Sequence, residues 1–313
     1  MIKRLFGKMR SNSGGLIGFS RSEDGLALAH VVPQSGSKPR LAFCDFLAGE
    51  AADSRQLLSE GCRNRGVDSC PAVCVLEMGC YQLLQVAPPD VPANELREAI
   101  RWQIGDLIEY PPEEAVVDVF HIPRGNQRQQ AKSAYVVAAH RNEVTERIGW
   151  MREARLKIRA IDIPELVLST LLNHVPDTGR SVGFLYFSAD TGLIVISSGQ
   201  ELCLARNLPF GTRSLTDEAG HLESTVNAIA LEIQRSFDFY ERTFAQMPVG
   251  SLIVAPQQFD TDALLTGLHT ALGIEVTMLD LQQIVECSDS LPPQAGRCLL
   301  AIGAALRTEE VGP

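Results

Sequence analysis

The stretch NELREAIRWQIGDLIEYPPEEAVVDV, Asn94 to Val119, couples a helical pattern to a breaker and then to a strand. Leu96, Ile100, Ile104, Leu107 and Ile108 recur at the spacing of one helix face, and Glu95, Arg97, Glu98 and Arg101 fill the wet side. Pro111 and Pro112 forbid further helix, because proline lacks an N–H and drives the residue before it out of the α region. Beyond them Ala115 to Phe120 is rich in Val, which predicts an edge strand with Asp118 facing outward. On periodicity alone this is a helix–turn–strand unit in which Trp102, Leu107 and Ile108 are expected to pack.

Outward from that unit, one order of elements occurs twice. Residues 15–21, 25–32 and 41–47 read as three strands, followed by a helix over 54–65 and a strand over 72–78. Residues 183–188, 192–198 and 201–208 read as three more, followed by a helix over 223–244 and a strand over 251–255. The first hairpins share wording: Phe19-Ser20 leads to Asp24-Gly25-Leu26, and Phe187-Ser188 leads through Asp190 to Gly192-Leu193. Any tight turn selects Asp and Gly, so the matching order weighs more than the wording. A strand over 133–140 and a helix over 142–154 lie between the halves, and Ile161-Asp162-Ile163-Pro164 reads as a helix start with Asp162 as its N-cap or as a turn residue. The division that follows is a basic leader, 1–13, a first lobe, 14–182, with an inserted subdomain at about 86–145, and a second lobe, 183–313. The apolar helix over 296–307 is expected to pack back on the fold.

A chain of 313 residues, 45% hydrophobic and 21% charged, has room for such a bilobal core. Its net charge of -10 argues against nucleic acid, which needs clustered Lys and Arg. Residues 1–12 lack the apolar centre of a signal peptide, and no apolar run approaches the roughly 20 residues of a membrane span, so a cytoplasmic location is expected. Cys44, Cys74 and Cys203 fall inside strands, as small buried hydrophobes do, and Cys70, Cys74 and Cys80 match no zinc spacing. The opening MIKRLFGKMR sets Lys3, Arg4, Lys8 and Arg10 around Ile2, Leu5, Phe6 and Met9. That basic amphipathic pattern suits contact with an anionic membrane, through Lys3, Arg4, Phe6 and Lys8, with a frayed leader as the competing reading. The six histidines are scattered, and no nucleophile–base arrangement can be assembled from them.

Three strands, a helix and a strand, occurring twice with an insertion in the first copy, resembles the actin-like ATPase fold: a duplicated, RNase H-like α/β architecture of two lobes. In particular it resembles the PilM family of type IV pilus assembly proteins. LREAIRWQIGDLIEYPPEEAVVDV at Leu96 to Val119, VVAAHRNEVTERIGWMREARLKIRAIDIPELVL at Val136 to Leu168 and EIQRSFDFYERTF at Glu232 to Phe244 carry the resemblance. GLALAHVV at Gly25 to Val32, with no membrane span, is most similar to the MshI branch serving mannose-sensitive haemagglutinin (MSHA) pili; the related GspL continues into a membrane helix. Within Glu232 to Phe244, Ile233, Phe237, Tyr240 and Phe244 also read simply as a core helix face, with Asp238 and Arg242 as an outward pair.

The resemblance implies a partner: the cytoplasmic N-terminal peptide of a PilN-like bitopic inner-membrane protein, with a further link to the pilus assembly ATPase. A groove between the insertion and the main sheet suits an extended peptide. Arg97, Arg101, Trp102 and Tyr110 are the candidate contacts, with internal packing the competing reading for Trp102.

The resemblance also supplies a test for nucleotide. Actin-like ATPases hold phosphates between two hairpin turns, with small residues, open backbone N–H groups and an Asp for the metal. In this chain the equivalent positions fall on Ser20 to Ser22, or on Gly18 to Ser20, and on Tyr186 to Ser188, none of which is acidic. The glycine-rich turn expected after residue 255 reads Pro256-Gln257-Gln258. Asp24 and Asp190 remain in the hairpins, where a turn alone would select them. Ser20, Ser22, Asp24, Tyr186, Ser188, Asp190 and Pro256 are therefore read as vestigial. A scaffold without catalytic residues, metal or cofactor is expected, and a divergent ATPase binding ATP and magnesium is the alternative.

Overall fold

The computed structural model describes residues 14–122, 133–176, 179–216, 222–244, 248–287 and 290–308. The leader, with Lys3, Arg4, Phe6 and Lys8, lies outside them. Along the first half run β1 (Leu16–Ser22), β2 (Gly25–Val32), β3 (Arg40–Ala48), α1 (Ser54–Arg65) and β4 (Pro71–Val75). Next come β5 (Tyr81–Val86), α2 (Leu96–Gln103), β6 (Ala115–His121) and β7 (Ala134–His140). Then α3 (Arg141–Glu153), β8 (Lys157–Asp162) and α4 (Pro164–Leu172) lead into the second half. That half contains β9 (Val182–Phe187), β10 (Gly192–Ser198), β11 (Glu201–Leu208), α5 (Thr212–Thr216), α6 (Leu222–Phe244), β12 (Ser251–Val254), α7 (Asp262–Leu272), β13 (Glu275–Met278), β14 (Glu286–Cys287) and α8 (Leu299–Ala305).

Three sheets form, in the orders β14-β3-β2-β1-β4-β8, β11-β10-β9-β12-β13 and β5-β7-β6. The first two share a plan. In each, three antiparallel strands are joined by a fourth that runs parallel to the first, Ile17 beside Ala72 in one and Val182 beside Ser251 in the other. One face of the first sheet buries Ile17, Phe19, Leu26 and Leu28 against α1 and α3. One face of the second buries Leu185, Ile194 and Ile196 against α6, where Ile233, Phe237, Tyr240 and Phe244 point inward as their spacing predicts. The remaining faces meet a shared core that joins Ala27, Ala29 and Val73 to Phe184, Leu193 and Val195 through α4 and α8.

Those two helices are exchanged between the halves. Helix α4 follows the last long strand of the first sheet and packs on the second; α8 follows the second half and packs on the first. All seven residues of α8 are buried, so a helix apolar on every side suits it. Gly18 makes the docking possible, since a Cβ there would lie 1.9 Å from the Ala301 carbonyl oxygen. Gly303 does the same on the other side, where a Cβ would lie 2.6 Å from Val167 Cγ1. Residues 286–287 and 299–305 thus lie on the first sheet, although the division by sequence placed them in the second lobe.

The third sheet begins at Tyr81, ahead of the boundary near 86. It packs Ile100, Ile104 and Ile108 against Val117, Val136 and Ala138, with β6 at an edge as expected. Two expectations for this unit fail. Helix α2 stops at Gln103, and Trp102 and Leu107 are 56% and 55% exposed rather than packed. Trp102 sits two residues from the inward Ile100, which on a helix is nearly the opposite face, and the chain turns at Gly105 against Pro112, so Leu107 leaves the helical phase.

Asp162 is not the cap of α4; Ile163 holds that position, and the buried Asp162 carboxylate pairs with Arg307. Arg242 donates to the Asp238 backbone carbonyl at 3.1 Å, while the Asp238 carboxylate accepts from Gln234 at 3.0 Å, so the expected outward pair is not made.

Gly18→Val should cost about 3 kcal/mol or more in urea denaturation, against about 1 kcal/mol for Gly36→Ala, an open turn position at φ +75°. Equal losses would overturn the close-approach account of α8.

Candidate functional site

The two hairpin turns of the paired halves hold most of the residues singled out from the sequence. In the β1–β2 turn the Ser22 hydroxyl donates to Asp24 Oδ1 at 2.9 Å. The other Asp24 oxygen pairs with Arg297, whose guanidinium carbon lies 3.3 Å from the centre of the Phe46 ring. In the β9–β10 turn the Ser188 hydroxyl donates to the Thr191 carbonyl at 2.9 Å. Asp190 is gripped by Arg213, with Nη1 2.6 Å from each carboxylate oxygen. The other arm of Arg213 reaches Glu23 of the first turn. One guanidinium therefore ties the two hairpins together.

The chain places Arg213 there by a close backbone approach. Thr212 N–H donates to the Ser188 carbonyl at 2.8 Å, and Arg213 N–H donates to the Ala189 carbonyl at 3.0 Å. A Cβ on Gly211 would lie 2.1 Å from that same Ala189 oxygen. Sequence reasoning missed Arg213 and Arg297, because each is an isolated Arg in a loop or short helix far along the chain from its partner. Gly211 before Thr212 is the one local signal for the first. These pairs are open to solvent, so salt weakens them.

Ser20 and Tyr186 lie within strands instead of in the turns. Ser20 is buried between Ala27 and Val75. Tyr186 packs against the shared core, and burial pushes its phenol up to about 12. Pro256 backs onto the loop before α8, where a Cβ on Gly296 would lie 3.0 Å from Pro256 Cβ.

The candidate contacts on the insertion separate into two places. Arg97 pairs with Asp118 and Arg101 with Glu98, each at 2.6 Å, and Trp102 Nε1 donates to Glu98 at 3.1 Å. Tyr110 is apart from them, packed edge-on against His140 with ring centres 5.1 Å apart, and its hydroxyl is buried without a partner.

A cleft of about 300 Å³ opens between the insertion and the second sheet, lined by Met78, Gly79, residues 81–84, Glu165 and residues 205–207. Its walls are sheet edges: β5 ends the three-stranded sheet and β11 ends the five-stranded one. Ala205 N–H donates to the Tyr135 hydroxyl at 3.2 Å and holds the walls together. On the floor, Glu165 is 3% exposed and accepts from the Tyr81 hydroxyl at 2.6 Å. Burial raises the Glu165 carboxyl above its ordinary range, with the Tyr81 hydrogen bond opposing and the nearby Asp162 charge adding to the rise. Burial and the Glu165 charge push Tyr81 well up. Gln82 Oε1 is buried and accepts no hydrogen bond among the described residues. Sequence reasoning passed over Glu165, although a carboxylate in the apolar run PELVLSTLL was a visible signal.

By sequence, the chain matches no family model and no characterised protein. By structure it is similar to a PilM-PilN type IV pilus biogenesis complex, at TM-score 0.74 and 18% identity over 94% of this chain and 98% of the other. It is also similar to the cytoplasmic domain of EpsL, an inner-membrane component of the type II secretion system of Vibrio cholerae, at TM-score 0.53 and 12% identity over 94% and 96% of the two chains. The fold is actin-like. The hairpins joined by Arg213 are the ones that the sequence reading compared with phosphate-holding turns, and the three-stranded sheet is built from residues 81–140 of the first half. No helix among the described residues is long and apolar enough to cross a membrane.

A carboxyl raised by burial is protonated more readily in the folded chain than in the unfolded one. Its contribution to stability is therefore lost as pH rises from the ordinary glutamate value, about 4.3, through its raised folded value. Glu165→Gln should remove that loss, so the stability of the variant relative to wild type should grow across this window in urea titrations. A difference independent of pH would rule out a raised carboxyl.

Proposed function

We propose that this chain is a non-catalytic adaptor of type IV pilus assembly, of the MSHA kind. It receives the cytoplasmic N-terminal peptide of a PilN-like inner-membrane protein and links it to the assembly ATPase. The observation that carries the reading is the cleft between the outer edges of β5 and β11, beyond which no further strand pairs among the described residues. An extended peptide adds to such an edge through its backbone, and side-chain pockets select it. The likeness to a PilM-PilN complex supports the same reading. Peripheral association at the cytoplasmic face of the inner membrane follows from the partner, helped by the basic leader.

The hairpins do not fit a magnesium nucleotide. Both hydroxyls, Ser22 and Ser188, are turned to acceptors of their own turns, and both carboxylates, Asp24 and Asp190, are neutralised by arginine. Arg213 bridges the gap that phosphates would span, and Pro256 removes an N–H from the turn after β12. The cleft between the lobes is thus held by the protein's own side chains, and the chain works as a pseudo-ATPase.

Titration calorimetry tests both halves of the proposal. MgATP at about 1 mM should give no saturable heat, and micromolar binding would restore the ATPase reading. A synthetic peptide of the first residues of a PilN-type protein encoded beside this chain should bind. Asn207→Trp, which fills the cleft from exposed β11, should weaken that binding by at least about tenfold; undiminished binding would move the receptor elsewhere.

A further inference from the structure

On the floor of the cleft Glu165 accepts from the Tyr81 hydroxyl and from its own backbone N–H, and no cation pairs with it among the described residues. Arg206 at the rim pairs with Glu232 at 2.8 Å, and Arg307 pairs with Asp162. Gln82, next after Tyr81 on β5, lies on the opposite face of that strand, with Leu84 towards the core of the insertion. A buried carboxylate without a counter-ion is costly. That cost persists in the free chain and falls when a cation enters.

Resting on the peptide-receptor reading, we propose that this cleft is a specificity pocket for one cationic group, an ammonium or a guanidinium, of an extended peptide. Glu165 serves as its counter-ion. A volume of about 300 Å³ holds a side chain or a chain terminus and not a whole segment, so the peptide backbone lies along β5 or β11 with one residue turned inward. Met78 and Leu83 offer apolar surface to the methylene stem of a Lys or Arg, as such side chains prefer.

Binding should also release a proton. The charged and titratable groups around Glu165 are Tyr81 of β5, Tyr135 of β7, Asp162 at the end of β8 with its partner Arg307, and Arg206 at the rim with its partner Glu232. Burial raises both Asp162 and Glu165, but Asp162 already has Arg307, so Glu165 is the carboxyl that an incoming cation would ionise. Affinity therefore rises with pH across the range in which free Glu165 is partly protonated.

The test uses the full chain and a positional-scanning array of octapeptides. Each position is fixed in turn to Lys, Arg, norleucine or Glu, and every set is made with free and with acetylated N-termini. One fixed position should favour Lys or Arg over norleucine by about tenfold or more, with Glu bound least. If the terminal amine is the cation, the same margin should separate free from acetylated peptides. Glu165→Gln should erase the preference while weaker binding remains, and Gln82→Leu, on the other face of β5, should leave it unchanged. Calorimetry of the best peptide in two buffers of different ionisation enthalpy should show proton release that Glu165→Gln abolishes. Peptides that bind without cation preference, or a preference that survives Glu165→Gln, would overturn the pocket and leave the receptor standing. An array without any binding would overturn both.

Discussion

A helix from the last residues of the chain lies on the first strand so closely that the Ala301 carbonyl occupies the place of a side chain on Gly18. This contact, with its counterpart at Gly303 against Val167, joins the two halves. Because α4 leaves the first half to cover the second sheet and α8 leaves the second to cover the first, neither sheet completes its inner face from its own half. The apolar surface that each half would expose alone is removed from water only when the exchange is made, and that burial is the main force holding the molecule together.

The cleft at the hairpins depends on the same arrangement. The loop before α8 carries Arg297 to Asp24, and the backbone of residues 211–213 sets Arg213 between Asp190 and Glu23. Exposed ion pairs of this kind add little to stability. Their effect is local: the carboxylates, hydroxyls and turns where an actin-like enzyme would receive phosphates are committed to other partners. On the proposed adaptor reading, binding belongs to the surfaces the insertion creates, above all the edge of β5 facing the edge of β11.

Much of this was legible in the residues. Residues 25–32, 54–65, 192–198 and 201–208 form the elements expected of them, because alternation, helical spacing and Gly or Asp turns act over a few neighbours. The helix of the insertion ends at Gln103, well before Pro111, and a 3-10 turn over Pro112–Glu114 leads into Ala115–His121, which is the expected edge strand. Leu107 was misjudged because the helix stops at Gln103, which changes the phase of every later residue, and Trp102 because it lies nearly opposite the inward Ile100 on the same helix. Asp162 was misjudged because its partner, Arg307, is 145 residues away.

Local sequence therefore determined the elements, their duplicated order and the absence of acidic residues from the strand ends of both hairpins. Only the tertiary structure decided which helix covers which sheet, that Arg213 spans two turns, and that Glu165 and Tyr81 share one cleft floor. The physical reason is range. Backbone preference and hydrophobic period are properties of adjacent residues, whereas a counter-ion, a glycine contact or a cleft wall is assembled from segments that only folding brings together.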